Sequence, residues 1–125
     1  MIQLLKKPRV LVLDDDLTIQ RVIAKLLQRE GFRVDVASTG RQAIEKIARV
    51  EYDVLLLDLM MPTEGGMTVI RHLSENNAPL LDRVILVTAS PESVLRTASK
   101  EIAGVVKKPF DADELLATIR GILQK

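Results

Sequence analysis

The chain of 125 residues contains no cysteine and no tryptophan, and it has only two Phe and one Tyr. The lack of cysteine excludes disulfides and thiolate metal sites, and it makes a reducing, cytoplasmic location the default expectation. The scarcity of aromatic rings argues against a surface that stacks nucleic-acid bases. The net charge is +1, from 18 basic and 17 acidic residues, so the basic excess of a nucleic-acid-binding domain is missing as well.

Long apolar runs and targeting signals are also missing. No stretch approaches the length needed to cross a membrane, and the opening segment is too short to be a signal peptide. The sequence therefore predicts neither a nucleic-acid nor a membrane partner. With 47% hydrophobic residues, the chain is long enough to bury a core, and we expect one domain over residues 1–125.

Strands are predicted by short apolar runs that end in polar residues. Residues 10–13, 54–57 and 84–87 are apolar throughout, and residues 104–106 form a briefer run of the same kind. Such runs are typical of strands buried on both faces of a parallel sheet. Residues 32–37 instead alternate between apolar and polar, which predicts an edge strand that is exposed on one face.

Amphipathic helices are predicted between these strands. Apolar side chains recur at positions 19, 22, 23, 26 and 27, and again at 43, 44, 47 and 48, which is the spacing of a helix face. Further helices are expected at about 66–76, at 92–101 and after Asp111, a good N-cap residue. Five βα units in succession predict an α/β domain whose parallel sheet is covered on both faces.

Polar side chains follow the strands where each strand ends. Asp14 and Asp15 follow the first strand, Asp58 the third, Thr88 the fourth and Lys108 the fifth. Because parallel strands end at the same edge of a sheet, these five side chains should line one cleft. Three neighbouring carboxylates repel one another unless a cation joins them, and oxygen ligands favour Mg²⁺. The lysine and the hydroxyl suit the oxygens of a phosphoryl group.

Four segments together resemble the receiver domain of two-component response regulators. They are Leu-Asp-Asp-Asp at 13–16, Leu-Asp-Leu-Met-Met-Pro at 57–62, Val-Thr-Ala at 87–89 and Val-Lys-Lys-Pro-Phe at 106–110. Each motif is weak alone, but all four occur in the family's order, each after its strand, and the resemblance spans residues 10 to about 123. It implies the flavodoxin-like fold of the chemotaxis receiver, a five-stranded parallel sheet of order 2-1-3-4-5 with five helices on both faces.

The resemblance also implies a function. Asp58 would accept a phosphoryl group from the phosphohistidine of a sensor histidine kinase or a histidine phosphotransfer protein. Thr88 and Lys108 would bind the phosphoryl oxygens, and the Lys108–Pro109 peptide bond would be cis. The chain would then change its binding to a downstream protein, which the sequence does not identify. It would be no enzyme beyond its own phosphorylation and dephosphorylation.

The metal ligands implied by the resemblance are all oxygens. Asp15, Asp58 and the main-chain carbonyl of Met60 would bind Mg²⁺, and Asp14 would act directly or through water. Other polar residues have simpler interpretations. Asp16 is expected to be a helix N-cap, Lys107 a solvated surface charge and His72 a surface residue. By residue type alone, Met60 and Met61 look like core filler.

Two departures from the family pattern concern signal output. Val105 occupies the position that usually carries a Tyr or Phe switch residue, and the segment between Thr88 and Gly104 is about two residues shorter than in the chemotaxis regulator. No output domain follows the last predicted helix. The chain is therefore either a stand-alone receiver or a receiver cut from a longer protein, and the sequence leaves both open.

Three other functions have weaker support. Residues 13–18 superficially resemble the Asp-x-Asp-x-Thr loop of haloacid-dehalogenase-like Mg²⁺ phosphatases, but Leu17 replaces the expected glycine, the chain is short and Asp58 is left unexplained. A pseudo-receiver that works only through protein contacts would be expected to have lost an acidic or lysine site residue. A flavodoxin-like FMN binder would need phosphate-binding loops and aromatic residues around the flavin ring.

Overall fold

The computed structural model describes residues 7–62, 65–90, 92, 96 and 101–124, and the elements below lie within them. The strands are β1 (Arg9–Leu13), β2 (Arg33–Ala37), β3 (Val54–Leu57), β4 (Val84–Thr88) and β5 (Gly104–Lys107). The helices are α1 (Leu17–Arg29), α2 (Gly40–Arg49), α3 (Gly66–Asn76), a 3-10 helix (Ala78–Arg83) and α4 (Ala112–Leu123). The helix predicted over residues 92–101 falls largely outside the described residues.

The five strands form one parallel sheet in the order β2-β1-β3-β4-β5. The predicted fold class and strand order are therefore confirmed, and β2 is an edge strand as expected. Leu13, the last residue of β1, pairs with Leu57, the last residue of β3. The residues that follow them, Asp14 and Asp58, consequently leave the sheet side by side.

Two hydrophobic cores lie on opposite faces of the sheet, because successive strand residues point to opposite sides. One core joins α2 and α3 to every second residue of the central strands, including Leu11, Leu55 and Leu86. The other joins α1 and α4 to the alternate residues, including Val12 and Leu56. All four residues of β3 are buried, which explains why this strand is apolar throughout.

Side chains at the helix starts satisfy main-chain N–H groups, as the sequence predicts. Asp16 caps α1 by accepting from the amides of Thr18 and Ile19, and Asp111 caps α4 by accepting from that of Asp113. Gly31, just after α1, has φ of 90°, a conformation that glycine adopts without strain. No helix in the described part of the chain is both long and apolar enough to cross a membrane.

Several predictions of burial are wrong. Val22 belongs to the predicted apolar face of α1 but is 51% exposed, and Ala48, on the predicted apolar face of α2, is exposed as well. The side chain of Met60 is 56% exposed, so this residue is not core filler, whereas Met61 does pack against a core. Apolar spacing identifies the face of a helix that carries hydrophobic residues, but it does not show how far the neighbouring elements cover that face.

The edge strand differs from the simple alternating pattern. Asp35 was expected on an exposed face, but it is half-buried and accepts hydrogen bonds from Tyr52 Oη at 2.7 Å and from Arg9 Nε at 3.1 Å. Burial alone would raise the pKa of Asp35, but the hydrogen bonds from Tyr52 and Arg9 outweigh it, and the pKa is lowered. This network attaches β2 to β1 and to the segment that enters β3.

Candidate functional site

The predicted site residues converge at the carboxyl edge of the sheet. Asp14, Asp58 and Thr88 are buried, Lys108 is partly buried, and Asp15 is exposed. Carboxylate oxygens of the three aspartates all lie within 4.8 Å of one another. In the part of the chain that the structure describes, only the ammonium group of Lys108 contacts this cluster, so it keeps an excess of negative charge that a divalent cation would neutralise.

Both carboxylate oxygens of Asp58 have polar partners. Its Oδ1 atom accepts from Thr88 Oγ1 at 2.7 Å and from the main-chain N–H of Met60 at 2.9 Å, while Oδ2 lies 3.2 Å from Lys108 Nζ. The main-chain N–H of Asp58 continues the β1–β3 pairing by donating to the carbonyl of Leu13 at 3.1 Å. Contacts from the ends of β1, β4 and β5 therefore fix the orientation of Asp58, which is only 4% exposed.

Lys108 bridges the two buried carboxylates. Its Nζ atom lies 2.6 Å from Asp14 Oδ2 in addition to its contact with Asp58. The Lys108–Pro109 peptide bond is cis, as the resemblance implies, and the Lys108 N–H donates to the carbonyl of Thr88 at 3.0 Å. Burial opposes the charge of the ammonium group, but the hydrogen bond to Asp14 and the charges of Asp58 and Asp14 outweigh it and raise the pKa of Lys108.

The two aspartates after β1 have different surroundings. Asp14 is fixed at both oxygens, because Oδ1 accepts from the N–H of Asp16 at 2.9 Å and Oδ2 contacts Lys108. The carboxylate of Asp15 is exposed and makes no hydrogen bond or ion pair with the described residues. Asp15 is thus the carboxylate of the cluster with its oxygens free for a cation.

A glycine permits the chain to turn closely around Asp58. The N–H of Gly66, the first residue of α3, donates to the carbonyl of Asp58 at 2.7 Å. A Cβ atom at this position would lie only 2.8 Å from that oxygen, so any other residue would displace the main chain next to the site. The sequence placed residue 66 only at the start of a predicted helix and did not reveal this contact.

Two more polar residues adjoin the site. Ser90 is buried, and its Oγ lies 3.0 Å from Thr88 Oγ1. Because the single proton of Thr88 is directed to Asp58, Ser90 is the donor in this pair. Gln20 of α1 is also buried and donates to the carbonyl of Asp14. Sequence reasoning missed Gln20, although a glutamine in line with the buried Ile23 and Leu27 was a possible signal.

The side chains given simpler interpretations lie apart from this chemistry. Asp16 is the cap of α1, Lys107 is exposed and paired with Glu92, and His72 of α3 contacts Asn76. The side chain of Met60 points into solvent, while its main-chain N–H remains bound to Asp58. The structure does bring together all six residues that the resemblance assigned to the site: Asp14, Asp15, Asp58, Met60, Thr88 and Lys108.

Comparison with known proteins agrees with this geometry. The family model for the response regulator receiver domain matches residues 10–120. The chain belongs to the receiver domain family of response regulators. It is 35% identical over 120 residues to the transcriptional regulatory protein ResD of Bacillus subtilis, covering 94% of this chain and 48% of ResD. The chain thus spans about half the length of the curated relatives it matches.

Solved receiver structures share the fold over nearly the whole chain. The receiver domain of the Francisella response regulator 1452 has a TM-score of 0.84 and 29% identity, covering 94% of this chain and 98% of its own. The response regulator TrrA of Thermotoga maritima, in complex with Mg²⁺ and BeF, has a TM-score of 0.80 and 31% identity, covering 92% of this chain and 98% of its own. The receiver assignment is confirmed, and the phosphatase, pseudo-receiver and flavin-binding alternatives are not favoured.

Proposed function

We propose that Asp58 accepts a phosphoryl group from the phosphohistidine of a sensor histidine kinase or a histidine phosphotransfer protein. The observation that carries this proposal is the environment of the buried Asp58 carboxylate, which contacts a hydroxyl, a main-chain N–H and an ammonium group. All three are donors that also suit phosphoryl oxygens. A carboxylate held this way at the carboxyl edge of the sheet is a preorganised acceptor rather than a helix cap.

The residues present fit a bound Mg²⁺. The three aspartates offer hard oxygen ligands close together, and Lys108, the one ammonium group among the described residues that contacts them, leaves part of their negative charge uncompensated. Asp15, Asp58 and the carbonyl of Met60 would hold the ion, with Asp14 acting directly or through water. When bound, Mg²⁺ neutralises charge that would otherwise oppose the approach of a phosphoryl group.

The transfer itself requires no other catalyst from this chain. One carboxylate oxygen of Asp58 forms a bond to phosphorus while the phosphorus–nitrogen bond to the donor histidine breaks, and the electron pair of that bond stays on the imidazole. Thr88 Oγ1 and Lys108 Nζ, which contact Asp58, would donate to the phosphoryl oxygens. Hydrolysis of the resulting acyl phosphate by water returns the free carboxylate. The chain promotes its own phosphorylation and dephosphorylation and acts on no separate substrate.

The biological context follows from the same assignment. Residues 1–125 act as a single receiver domain in the cytoplasm, where phosphorylation changes binding to a downstream protein. This domain contacts neither nucleic acid nor membrane, consistent with its net charge of +1.

Intact-mass measurement after incubation with Mg²⁺ and acetyl phosphate tests the proposal. We expect a gain of one phosphoryl group in the wild type, none in Asp58→Asn, and a normal gain in the control Asp16→Asn, which removes a neighbouring charge but keeps a good N-cap. A pseudo-receiver would show no gain in any variant. A phosphatase that used Asp14 or Asp15 would still be modified in Asp58→Asn, and either result would overturn the proposal.

A further inference from the structure

The side chain of Gln20 is a buried polar group in a position that the helix pattern reserves for an apolar residue. It lies on the inner face of α1 together with Ile23 and Leu27, and it is only 5% exposed. A buried amide is costly unless its donors and acceptor find partners. The partners of Gln20 are therefore informative about what this position does.

The Nε2 atom of Gln20 has three oxygen neighbours at the ends of two strands. It contacts the carbonyl of Asp14, lies 3.1 Å from the carbonyl of Ala37, and lies 3.1 Å from Ser38 Oγ. An amide nitrogen carries two protons. The two carbonyls can only accept, whereas the serine hydroxyl can rotate and find other partners, so we assign the two protons of Gln20 to the carbonyls.

These contacts continue the β1–β2 pairing beyond its last main-chain bond. The N–H of Asp14 donates to the carbonyl of Ala37 at 3.1 Å, which is the final bond of that ladder. Gln20 then joins the carbonyl of Ala37 to the carbonyl of Asp14 itself. The side chain thus supplies hydrogen bonds between the two strand ends where the main-chain pairing stops, and it fixes the loop at the carboxyl end of β1.

The carbonyl that Gln20 holds belongs to the peptide group between Asp14 and Asp15. Fixing this group fixes the direction in which Asp15 leaves the main chain, and the exposed carboxylate of Asp15 has no hydrogen bond to the described residues that could orient it instead. The amide is neutral, so it achieves this without a charge that would compete with a cation or add to the repulsion among the carboxylates.

We propose that Gln20 is a positioning residue that sets the geometry of Asp14 and Asp15 for a divalent cation. The proposal rests on the metal site of the proposed function. It extends that site to a residue on α1 that touches neither the ion nor the phosphoryl group. Hydrogen bonds that orient metal ligands typically change metal affinity by about 10–100-fold when they are removed.

Metal affinity of the apo protein, measured with Mn²⁺ by electron paramagnetic resonance and with Mg²⁺ by calorimetry, tests the proposal directly. Gln20→Met keeps the size of the side chain and removes both donors, and we expect it to weaken binding of both ions by about tenfold. The matched control is Gln42→Met, because Gln42 also binds this loop, accepting from the Ser38 N–H at 2.8 Å, but does not contact Asp14. The control should change affinity by less than about twofold. Ser38→Ala should also leave it unchanged, because both carbonyls keep their donor.

The possible failures are distinguishable. If the wild type binds neither ion, the proposed metal site is wrong. If the wild type binds and Gln20→Met binds equally well while remaining folded by circular dichroism, the role of Gln20 is wrong. Should Gln20→Met fail to fold, Gln20→Asn keeps an amide but is one carbon too short to reach both carbonyls. It should show the same loss of affinity, and an undiminished affinity in that variant would overturn the proposal.

Discussion

Asp15 should reduce the stability of the metal-free protein, because it adds a third carboxylate to the cluster. Two unit charges at the 4.8 Å limit of the cluster repel by about 0.9 kcal/mol at the dielectric of water and by about 3.5 kcal/mol at an effective dielectric of about 20. The exposure of Asp15 favours the lower value. We therefore expect Asp15→Asn to raise the free energy of unfolding by about 1 kcal/mol without metal, or at least to leave it undiminished.

Addition of Mg²⁺ should remove this advantage. A cation that binds only the folded state at about ten times its Kd stabilises the wild type by about 1.4 kcal/mol. The Asp15→Asn variant lacks one metal ligand and gains less stability from Mg²⁺. The difference in free energy of unfolding between the variant and the wild type should therefore shrink or change sign. Urea unfolding followed by circular dichroism, with EDTA and then with Mg²⁺, measures both quantities on the same samples.

The control is Asp16→Asn, which removes the adjacent charge. The Asp16 carboxylate accepts from the N–H groups of Thr18 and Ile19 rather than facing the cluster, and asparagine caps a helix equally well. This variant should retain the full response to Mg²⁺. A loss of more than about 1 kcal/mol in metal-free Asp15→Asn would show that Asp15 is structural instead. A Mg²⁺ response equal to that of the wild type would show that it is no ligand.

Three further measurements address other parts of the molecule. Tyr52→Phe removes a hydrogen bond to Asp35 and should cost about 1–2 kcal/mol at pH 7. The folded state lowers the pKa of Asp35, so this stabilisation is present above the pKa of the unfolded state and disappears as the pH falls through the pKa of the folded state. The stabilities of the variant and the wild type should therefore converge in acid. A stability difference that stays constant with pH would contradict the assignment. Met60→Asn combined with Ser90→Glu should shorten the lifetime of the aspartyl phosphate about tenfold, or about 1.4 kcal/mol in the barrier, because an amide and a carboxylate can orient water; an unchanged decay rate would refute this. Amide exchange with and without beryllofluoride should respond most strongly within residues 88–100, and an unchanged segment would exclude that route of output.

Most of the fold could be predicted because its three central strands, β1, β3 and β4, are buried on both faces. Continuous apolar runs do not reveal which residues face which helix, but they do locate strands and show where each one ends. Since all the strands are parallel, the residue after each end falls at one edge, and Asp14, Asp58 and Lys108 could be brought together from spacing alone. Pairing of Leu13 with Leu57 then makes Asp14 and Asp58 direct neighbours.

The features that escaped prediction depend on contacts between distant segments. Gln20 is turned inward, and Val22 is left exposed, in a helix whose buried amide binds two strand ends. The half-burial of Asp35 requires Tyr52, which lies 17 positions away in the sequence. Periodicity describes one element at a time, so it cannot reveal a hydrogen bond that a side chain makes to a neighbouring element.

Signal output needs a route other than an aromatic side chain in β5, and the contacts of Thr88 lead us to expect it in the segment after β4. Val105 packs partly buried against a core, and its β-branched side chain has no large rotation to offer. Thr88, in contrast, is tied to the segment that follows it, because the Ser90 N–H lies 3.3 Å from Thr88 Oγ1 and the two hydroxyls are 3.0 Å apart. A Thr88 hydroxyl drawn from Asp58 toward a phosphoryl group must therefore pull on Ser90 or break these bonds. The ion pair of Lys107 with Glu92 joins β5 to the same segment. We therefore expect a displacement that begins at Thr88 to reach the surface through the main chain after β4, without an aromatic side chain in β5.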